Sequence, residues 1–155
     1  MDVVRMRSIQ VHLWRHRLGA HAEFLLLQRS AEERVYPNVW QVITGTIEVG
    51  ETAYDAARRE VFEETGVRVS TVTAVPYVGS FYDPSEDAIQ MIPVFAARVT
   101  EKEEIVLSRE HQAAVWMSYD NAYDRLVMPS HRDGMKVLCE YMIQPGHQRI
   151  GTSDS

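Results

Sequence analysis

Alternating apolar and polar residues run through most of the chain and predict β-strands. The clearest case is 8–14, where Ile9, Val11 and Leu13 fall on one side with the two-residue period of a half-buried strand. A continuous apolar run at 23–28 predicts a strand covered on both faces. Further strands are predicted at 40–44, 67–75, 77–82, 89–99 and 115–117. Pro93 lies inside the longest of these segments. It predicts an edge position or a bulge there, because proline cannot donate to a strand ladder.

Three helices are predicted between these strands. The first begins near Ala53, in a segment rich in strong helix formers, and stops at Gly66, a residue type expected directly after a helix end. The second covers 120–127, with Ser118 as its N-capping residue. The third covers about 134–143 and buries one apolar face.

The order of these elements is strands, one early helix, more strands and then two late helices. That order favours an α/β domain in which a mixed β-sheet lies between helices. At 155 residues the chain is most simply one domain, which would bury roughly 68–70% of its unfolded surface. We expect this single domain to span 1–143, with 144–155 as a flexible C-terminal tail.

Composition narrows the class of protein. The apolar fraction of 45% and charged fraction of 25% are typical of a soluble globular domain. The net charge of -6 argues against binding nucleic-acid polymers or anionic membranes through a basic surface. One cysteine, Cys139, excludes an intramolecular disulfide and fits a reducing compartment. Without a signal-type apolar core, we expect a cytoplasmic enzyme or binding domain, as a monomer or homodimer.

Acidic residues crowd the end of the first predicted helix. Glu60, Glu63 and Glu64 fall within one turn, where like charges repel and the helix dipole is already negative. At about 100° per residue, Glu60 and Glu64 continue the face of Ala53 and Ala57, which is the face most easily packed. A bound divalent cation removes this conflict, because hard cations take oxygen ligands. The sequence therefore predicts a divalent-metal site.

The segment from Gly45 to Val67 reads GTIEVGETAYDAARREVFEETGV, or G-x5-E-x7-R-E-U-x-E-E-x-G-U with U aliphatic. This is the Nudix box, matched with no departures, and the chain therefore resembles the Nudix hydrolases. Seven fixed identities at roughly 7% each make a chance match about one in 10^8 per starting position. The resemblance implies a Nudix-type α/β/α sandwich. It also implies Mg²⁺ as the cofactor, with Mn²⁺ as a substitute, and an anionic nucleotide-like small molecule as the substrate.

The resemblance assigns roles to individual box residues. In such enzymes the metal ligands correspond to the Gly45 carbonyl and to Glu60, Glu63 and Glu64. The residue types fit these roles, because glycine leaves its carbonyl accessible to a cation and carboxylates at i,i+4 lie one above the other. Arg59 can pair with Glu51 and orient the carboxylates. We therefore treat Glu63, Glu64 and Arg59 as candidate catalytic residues.

An acid outside the box is often needed as well. Glu110, shortly before Trp116, occupies the place where similar enzymes carry theirs, and it would act as general base or extra metal ligand. A solvated loop glutamate is the alternative. Glu86 and Asp87, in a predicted turn, are weaker candidates, and His111 is expected to be a surface histidine.

Three candidates for substrate binding lie elsewhere. Trp40, five residues before the box, would stack a base or, as we favour, pack in the core. Arg29 would meet a phosphate or remain a strand-end surface charge. Tyr82 falls near a position associated with dinucleoside polyphosphate hydrolysis. The W-Q-x-x-T-G run entering the box and the Glu110–His111 pair resemble the dihydroneopterin triphosphate and dATP pyrophosphohydrolase branch.

The combined expectation is an Mg²⁺-dependent pyrophosphohydrolase. It would cleave a (deoxy)nucleoside triphosphate or dihydroneopterin triphosphate to monophosphate and pyrophosphate, by water attack at phosphorus. Hydrolysis of a dinucleoside polyphosphate, ADP-ribose or a nucleotide sugar is the alternative within the enzyme class. A noncatalytic nucleotide-binding Nudix module is the alternative from another class, and the complete set of box acids argues against it.

Overall fold

The computed structural model describes residues 3–17 and 21–143, and eight strands within them form one mixed sheet. The strands are β1 (Val4–Arg5), β2 (Ser8–His16), β3 (Ala22–Arg29), β4 (Trp40–Gln41), β5 (Ile43–Thr46), β6 (Thr73–Asp83), β7 (Ala88–Arg98) and β8 (His111–Ser118). They lie in the order β1-β7-β2-β3-β4, with β5 beside β2, β6 beside β7 and β8 beside β3. Strand β7 is parallel to β1 and β2, and the other pairs are antiparallel. The predicted tail, 144–155, lies outside the described residues.

Two of the predicted helix boundaries lie at recognisable capping residues. They are α1 (Ala53–Thr65), α2 (Tyr119–Arg125) and α3 (Pro129–Leu138), and a π-helical turn (Cys139–Ile143) follows α3. The predicted stop at Gly66 is confirmed by its left-handed φ of 74°, which favours glycine. The predicted cap at Ser118 is also confirmed, because its side chain accepts from the Asn121 N–H. No helix in the described part of the chain is long and apolar enough to cross a membrane.

The sheet separates two apolar layers. On one face, Ile9, Val11 and Leu13 of β2 pack with the buried side of α1. On the other face, β2 presents Gln10 and His12 toward α3, where a second apolar layer lies against α2 and α3. The predicted mixed sheet between helices is therefore confirmed.

The strand predicted over 67–75 is wrong for most of its length. Strand β6 begins only at Thr73 and then continues through Pro76 to Asp83. Val67 is nevertheless buried in the layer around α1, and Val69 packs against that layer. The alternation of valines in this segment therefore reflects apolar contact with the core rather than hydrogen bonding in a ladder.

The edge position predicted from Pro93 is also wrong, since β7 has neighbours on both sides. Pro93 lies between Gln90, the last residue paired with β1, and Val94, the first residue paired with β2. Across the strand, the register with β6 shifts between Ala74 and Val78, so the alternative irregularity is confirmed. Pro93, which has no N–H to donate, therefore lies where β7 changes its partner from β1 to β2.

The third helix begins earlier than predicted. It starts at Pro129 rather than near Gly134, and regular α-helix ends at Leu138, before the π-helical turn. Proline is favoured at the first helical position because its N–H would be unpaired there and its φ is already helical. The apolar pattern begins late because the first turn of α3 is polar.

A buried polar group joins β2 to α3. The Gln10 Nε2 lies 2.8 Å from the His12 Nε2 and donates to the Ser130 carbonyl at 2.9 Å. A Cβ on Gly134 would lie 2.6 Å from the Gln10 Nε2, so α3 can approach only with glycine at this position. Burial lowers the pKa of His12 to about 3, with His131 adding to the effect, and burial lowers the pKa of His131 to about 4.

These histidines should make the fold sensitive to acid. An ordinary histidine has a pKa of 6.5, so as the pH falls below this value the unfolded chain takes up protons that the folded chain excludes. The free energy of unfolding should therefore be highest above about pH 6.5 and decline as the pH falls toward the pKa values of the two histidines in the folded protein. At about pH 5 we expect His12 to account for a loss of about 2 kcal/mol.

Chemical denaturation across this pH range checks the expectation. His12→Gln should flatten the decline, whereas His16→Gln, in the exposed end of the same strand, should leave it unchanged. Identical acid profiles for His12→Gln and the unmodified protein would contradict the assignment.

Candidate metal and catalytic site

Strand β5 and helix α1 bring a glycine backbone close to a carboxylate. Gly45 pairs with Ile9 in the sheet. A Cβ built on Gly45 would lie only 2.1 Å from the Glu60 Cδ. The Glu60 carboxyl group therefore rests directly against the Gly45 backbone, and no other residue type leaves this space. Burial raises the pKa of Glu60, partly offset by the hydrogen bond from Arg59.

Glu64 is the most buried acid of the helix. The residue is 2% exposed, and among the described residues its Oε2 has no hydrogen-bond partner. Burial raises its pKa to about 9, with further contributions from the charges of Glu60 and Glu110. A buried carboxylate oxygen without a partner, beside other carboxylates, fits a hard cation that takes oxygen ligands.

Arg59 connects the box loop to the helix. Its Nε donates to Glu51 at 2.8 Å and its Nη1 donates to Glu60 at 2.8 Å and to Glu63 at 3.0 Å. Its Nη2 donates to the Thr46 carbonyl at 2.8 Å. The predicted Arg59–Glu51 pair is confirmed, and its hydrogen bonds lower the pKa of Glu51 to about 2. Arg59 therefore orients two helix carboxylates while its own charge is shared with Glu51.

Glu110, in the turn before β8, and His111, the first residue of β8, approach the same carboxylates. A ring nitrogen of His111 and one carboxylate oxygen from each of Glu64 and Glu110 lie within 4.8 Å of one another. Glu110 is exposed, whereas His111 is 5% exposed. The expectation of a surface histidine is therefore wrong, and sequence reasoning also overlooked Gln41, whose Nε2 lies 2.8 Å from the His111 Nε2.

An irregularity in strand pairing determines the face of the sheet on which His111 lies. Leu27, on the α1 face, pairs with Ala114, but Arg29 pairs with His111 because the register shifts between Gln28 and Arg29. One residue of β8 therefore has no partner in β3, and His111 lies on the α1 face of the sheet. Simple alternation counted back from Ala114 places it on the opposite face.

The predicted contact residue Arg29 lies beside this cluster. Its pairing with His111 places it at the same end of the sheet. Burial, with the nearby Arg29 charge as a second cause, lowers the pKa of His111 to about 4. The Arg29 Nε donates to the Val35 carbonyl at 3.0 Å, and its Nη2 lies 3.3 Å from Glu33. Its role in binding substrate stays a prediction.

The other predicted residues lie outside the cluster. Trp40 packs against the layer around α2 and α3, and the Arg125 guanidinium lies 5.2 Å from the centre of its ring. The Tyr82 hydroxyl donates to Asp87 at 2.8 Å. Glu86 accepts from Arg5, Arg7 and Gln90. The structure therefore brings together the box acids, Glu110 and Arg29, but not Trp40, Tyr82 or Glu86.

Comparison with known proteins agrees with this geometry. A family model for the NUDIX domain matches residues 10–138. The chain belongs to the Nudix hydrolase family. Its mixed sheet between helices is accordingly the Nudix fold.

Individual relatives share only part of the sequence. The chain is 33% identical over 133 residues to an octanoyltransferase from Myxococcus xanthus, covering 84% of this chain but only 36% of that protein. It is 26% identical over 105 residues to the nucleoside triphosphatase NudI from Enterobacter sp. (strain 638), covering 63% of this chain and 74% of that protein. A solved structure of the E. coli dihydroneopterin triphosphate pyrophosphohydrolase has a TM-score of 0.70 and 26% identity, covering 92% of this chain and 97% of that chain.

The buried Glu64 should reduce the stability of the metal-free protein. Its pKa of about 9 lies above the ordinary value of 4.5. Between these two pH values the unfolded chain loses a proton that the folded chain keeps, so the free energy of unfolding falls as the pH rises from about 4.5 toward 9. At about pH 7, Glu64→Gln should therefore raise the free energy of unfolding by about 3 kcal/mol. Chemical denaturation with a chelator present measures this difference.

The matched control is Glu63→Gln, because the Glu63 side chain is 53% exposed. It should change the metal-free stability little. Adding about 10 mM Mg²⁺ should reduce the advantage of Glu64→Gln, because only the unmodified site binds the ion in full. A metal-free Glu64→Gln that is less stable than the unmodified protein would contradict the burial argument.

Proposed function

We propose that this Nudix hydrolase is an Mg²⁺-dependent pyrophosphohydrolase. Its substrate is a (deoxy)nucleoside triphosphate or dihydroneopterin triphosphate, which it cleaves to monophosphate and pyrophosphate. The observation that carries the proposal is the convergence of Gly45, Glu60, Glu64 and Glu110 at one end of the sheet. Residues 1–143 form the catalytic domain in this proposal, and the enzyme acts in the cytoplasm.

The donor set fits a hard divalent cation. The Gly45 carbonyl and the carboxylates of Glu60, Glu63 and Glu64 would hold Mg²⁺, with Mn²⁺ as a substitute. When bound, the ion supplies positive charge that offsets the substrate phosphates and acidifies water. It would also give a partner to the Glu64 Oε2, which makes no hydrogen bond within the described residues.

The chain's own residues position and deprotonate the nucleophile. Arg59 holds Glu60 and Glu63 in fixed orientations through hydrogen bonds of 2.8 and 3.0 Å. Glu110 is exposed beside the buried Glu64, so it is accessible both to water and to the cluster. In the reaction, a water oxygen bonds to phosphorus, the phosphoanhydride bond breaks and pyrophosphate leaves. Glu110 accepts the proton of the attacking water as general base.

The substrate class rests on charge and on relatives. Arg29 provides a cation next to the acidic cluster, where a phosphate chain can extend beyond the metal. A relative is named as a nucleoside triphosphatase, and a structural neighbour as a dihydroneopterin triphosphate pyrophosphohydrolase. Both names describe triphosphate substrates, in agreement with the W-Q-x-x-T-G run from Trp40 to Gly45.

No specific observation favours the alternatives. The dinucleoside polyphosphate hypothesis depends on Tyr82, whose hydroxyl is hydrogen-bonded to Asp87 in the β6–β7 hairpin. A noncatalytic module is expected to lack one of the box acids, yet Glu60, Glu63 and Glu64 are all present.

A substrate panel tests the proposal. Purified protein with Mg²⁺ should release pyrophosphate from dATP or dihydroneopterin triphosphate with at least about tenfold higher kcat/KM than it shows for diadenosine tetraphosphate or ADP-ribose. The products are distinguished by separate assays for pyrophosphate and inorganic phosphate. If no compound is hydrolysed but nucleotides still bind, the protein is a binding module rather than an enzyme.

Glu110 should matter for turnover, not for folding. Glu110→Gln should lower kcat about 100-fold, the typical contribution of a general base, with little change in the melting temperature. Glu86→Gln is the matched control, because this acid contacts Arg5 and Arg7 away from the cluster. Steady-state kinetics of both variants decide the point, and a larger loss for Glu86→Gln would transfer the role to the β6–β7 turn.

A further inference from the structure

Two complementary polar atoms are left without partners in the catalytic cluster. Within the described chain, the Glu64 Oε2 and the His111 Nδ1 are both buried and make no hydrogen bond. A carboxylate oxygen accepts hydrogen bonds, and a ring nitrogen either donates or accepts, depending on its proton. The protonation of His111 therefore decides whether it can serve the carboxylates or compete with them for a cation.

Gln41 determines which ring nitrogen carries that proton. Its amide Nε2 lies 2.8 Å from the His111 Nε2. An amide nitrogen only donates, so the His111 Nε2 must accept, and the neutral ring carries its hydrogen on Nδ1. A protonated nitrogen cannot ligate a metal, because metal binding requires a free lone pair. At Nδ1, His111 is therefore a donor.

We propose that His111 is a positioning residue and not a metal ligand. Gln41 fixes its tautomer, and its Nδ1–H donates to the Glu64 Oε2, directly or through one water. A ring nitrogen of His111 and a carboxylate oxygen of Glu64 lie within 4.8 Å of each other, and a separation of this size accommodates such a water. The inference deepens the proposed function and rests on it, because an oriented Glu64 serves the metal and Glu110.

The irregular pairing of β8 supports a functional reason for this placement. The shift at Gln28 and Arg29 turns the His111 ring toward Glu64 and Gln41 rather than toward the α3 side of the sheet. Such irregularities commonly redirect a side chain beside an active site.

Two substitutions test whether His111 acts through a hydrogen-bond donor at the Nδ1 position. His111→Asn places an amide N–H near the Nδ1 position and so retains the donor. His111→Phe retains the planar shape of the ring but has no donor. If His111 acts through Glu64, only the second change disturbs the carboxylate.

The tautomer is read directly by ¹⁵N NMR of the full chain labelled at histidine. The His111 signals are assigned by their loss in His111→Asn. We expect a protonated Nδ1 and an unprotonated Nε2 both in the metal-free protein and with about 10 mM Mg²⁺. A proton on Nε2 in either state, or loss of the Nδ1 proton on adding Mg²⁺, would overturn the proposal.

Metal affinity provides the second readout, measured by titration with Mn²⁺ alone. His111→Phe should weaken Mn²⁺ binding about tenfold, the usual effect of losing an outer hydrogen bond to a ligand, while His111→Asn should stay within about threefold. Equal weakening in both variants would overturn the donor role. Neither readout requires a substrate, so failure of the proposed hydrolysis is distinguishable from failure of this inference.

Discussion

The burial of the Glu64 carboxyl group is the constraint around which the site is organised. Helix α1 buries this group on its packed face, next to Glu60 and near Glu110. Arg59 does not neutralise it, because its guanidinium is engaged by Glu51, Glu60, Glu63 and the Thr46 carbonyl. A divalent cation can supply the positive charge that allows Glu64 to ionise. A buried acid of this kind is costly for stability, and its presence marks function rather than packing.

Buried polar groups lie on both faces of the sheet. On the α3 side, Gln10 bonds both to His12 and to the Ser130 carbonyl, and the group ties β2 to α3, although the His131 Nδ1 makes no hydrogen bond within the described chain. On the α1 side, the Glu64 Oε2 also remains without a partner within the described chain. Unsatisfied buried groups require an explanation. The α1 face differs because its partnerless atom is a carboxylate oxygen beside other carboxylates.

Local signals made much of the fold and site predictable from the amino-acid sequence. The glycine stop at Gly66, the cap at Ser118 and the Arg59–Glu51 pair depend on residues close together in the chain. The early strands follow from alternation. The errors at 67–75 and at Pro93 arise because alternation records burial but does not identify a strand's partners.

The family, the candidate metal-binding acids and the buried face of α1 could be predicted from the amino-acid sequence, because all three depend on the segment from Gly45 to Val67, most of which is one helix with a fixed period. Which residues approach that helix from elsewhere in the chain depends on the tertiary structure. The pairing of β8 with β3 brings Glu110 and His111 to Glu64, and a single register shift turns His111 inward beside Gln41. The tertiary structure also places Trp40 on the opposite face of the sheet. Long-range register depends on how distant strands pair, and no local pattern of residues encodes a one-residue shift.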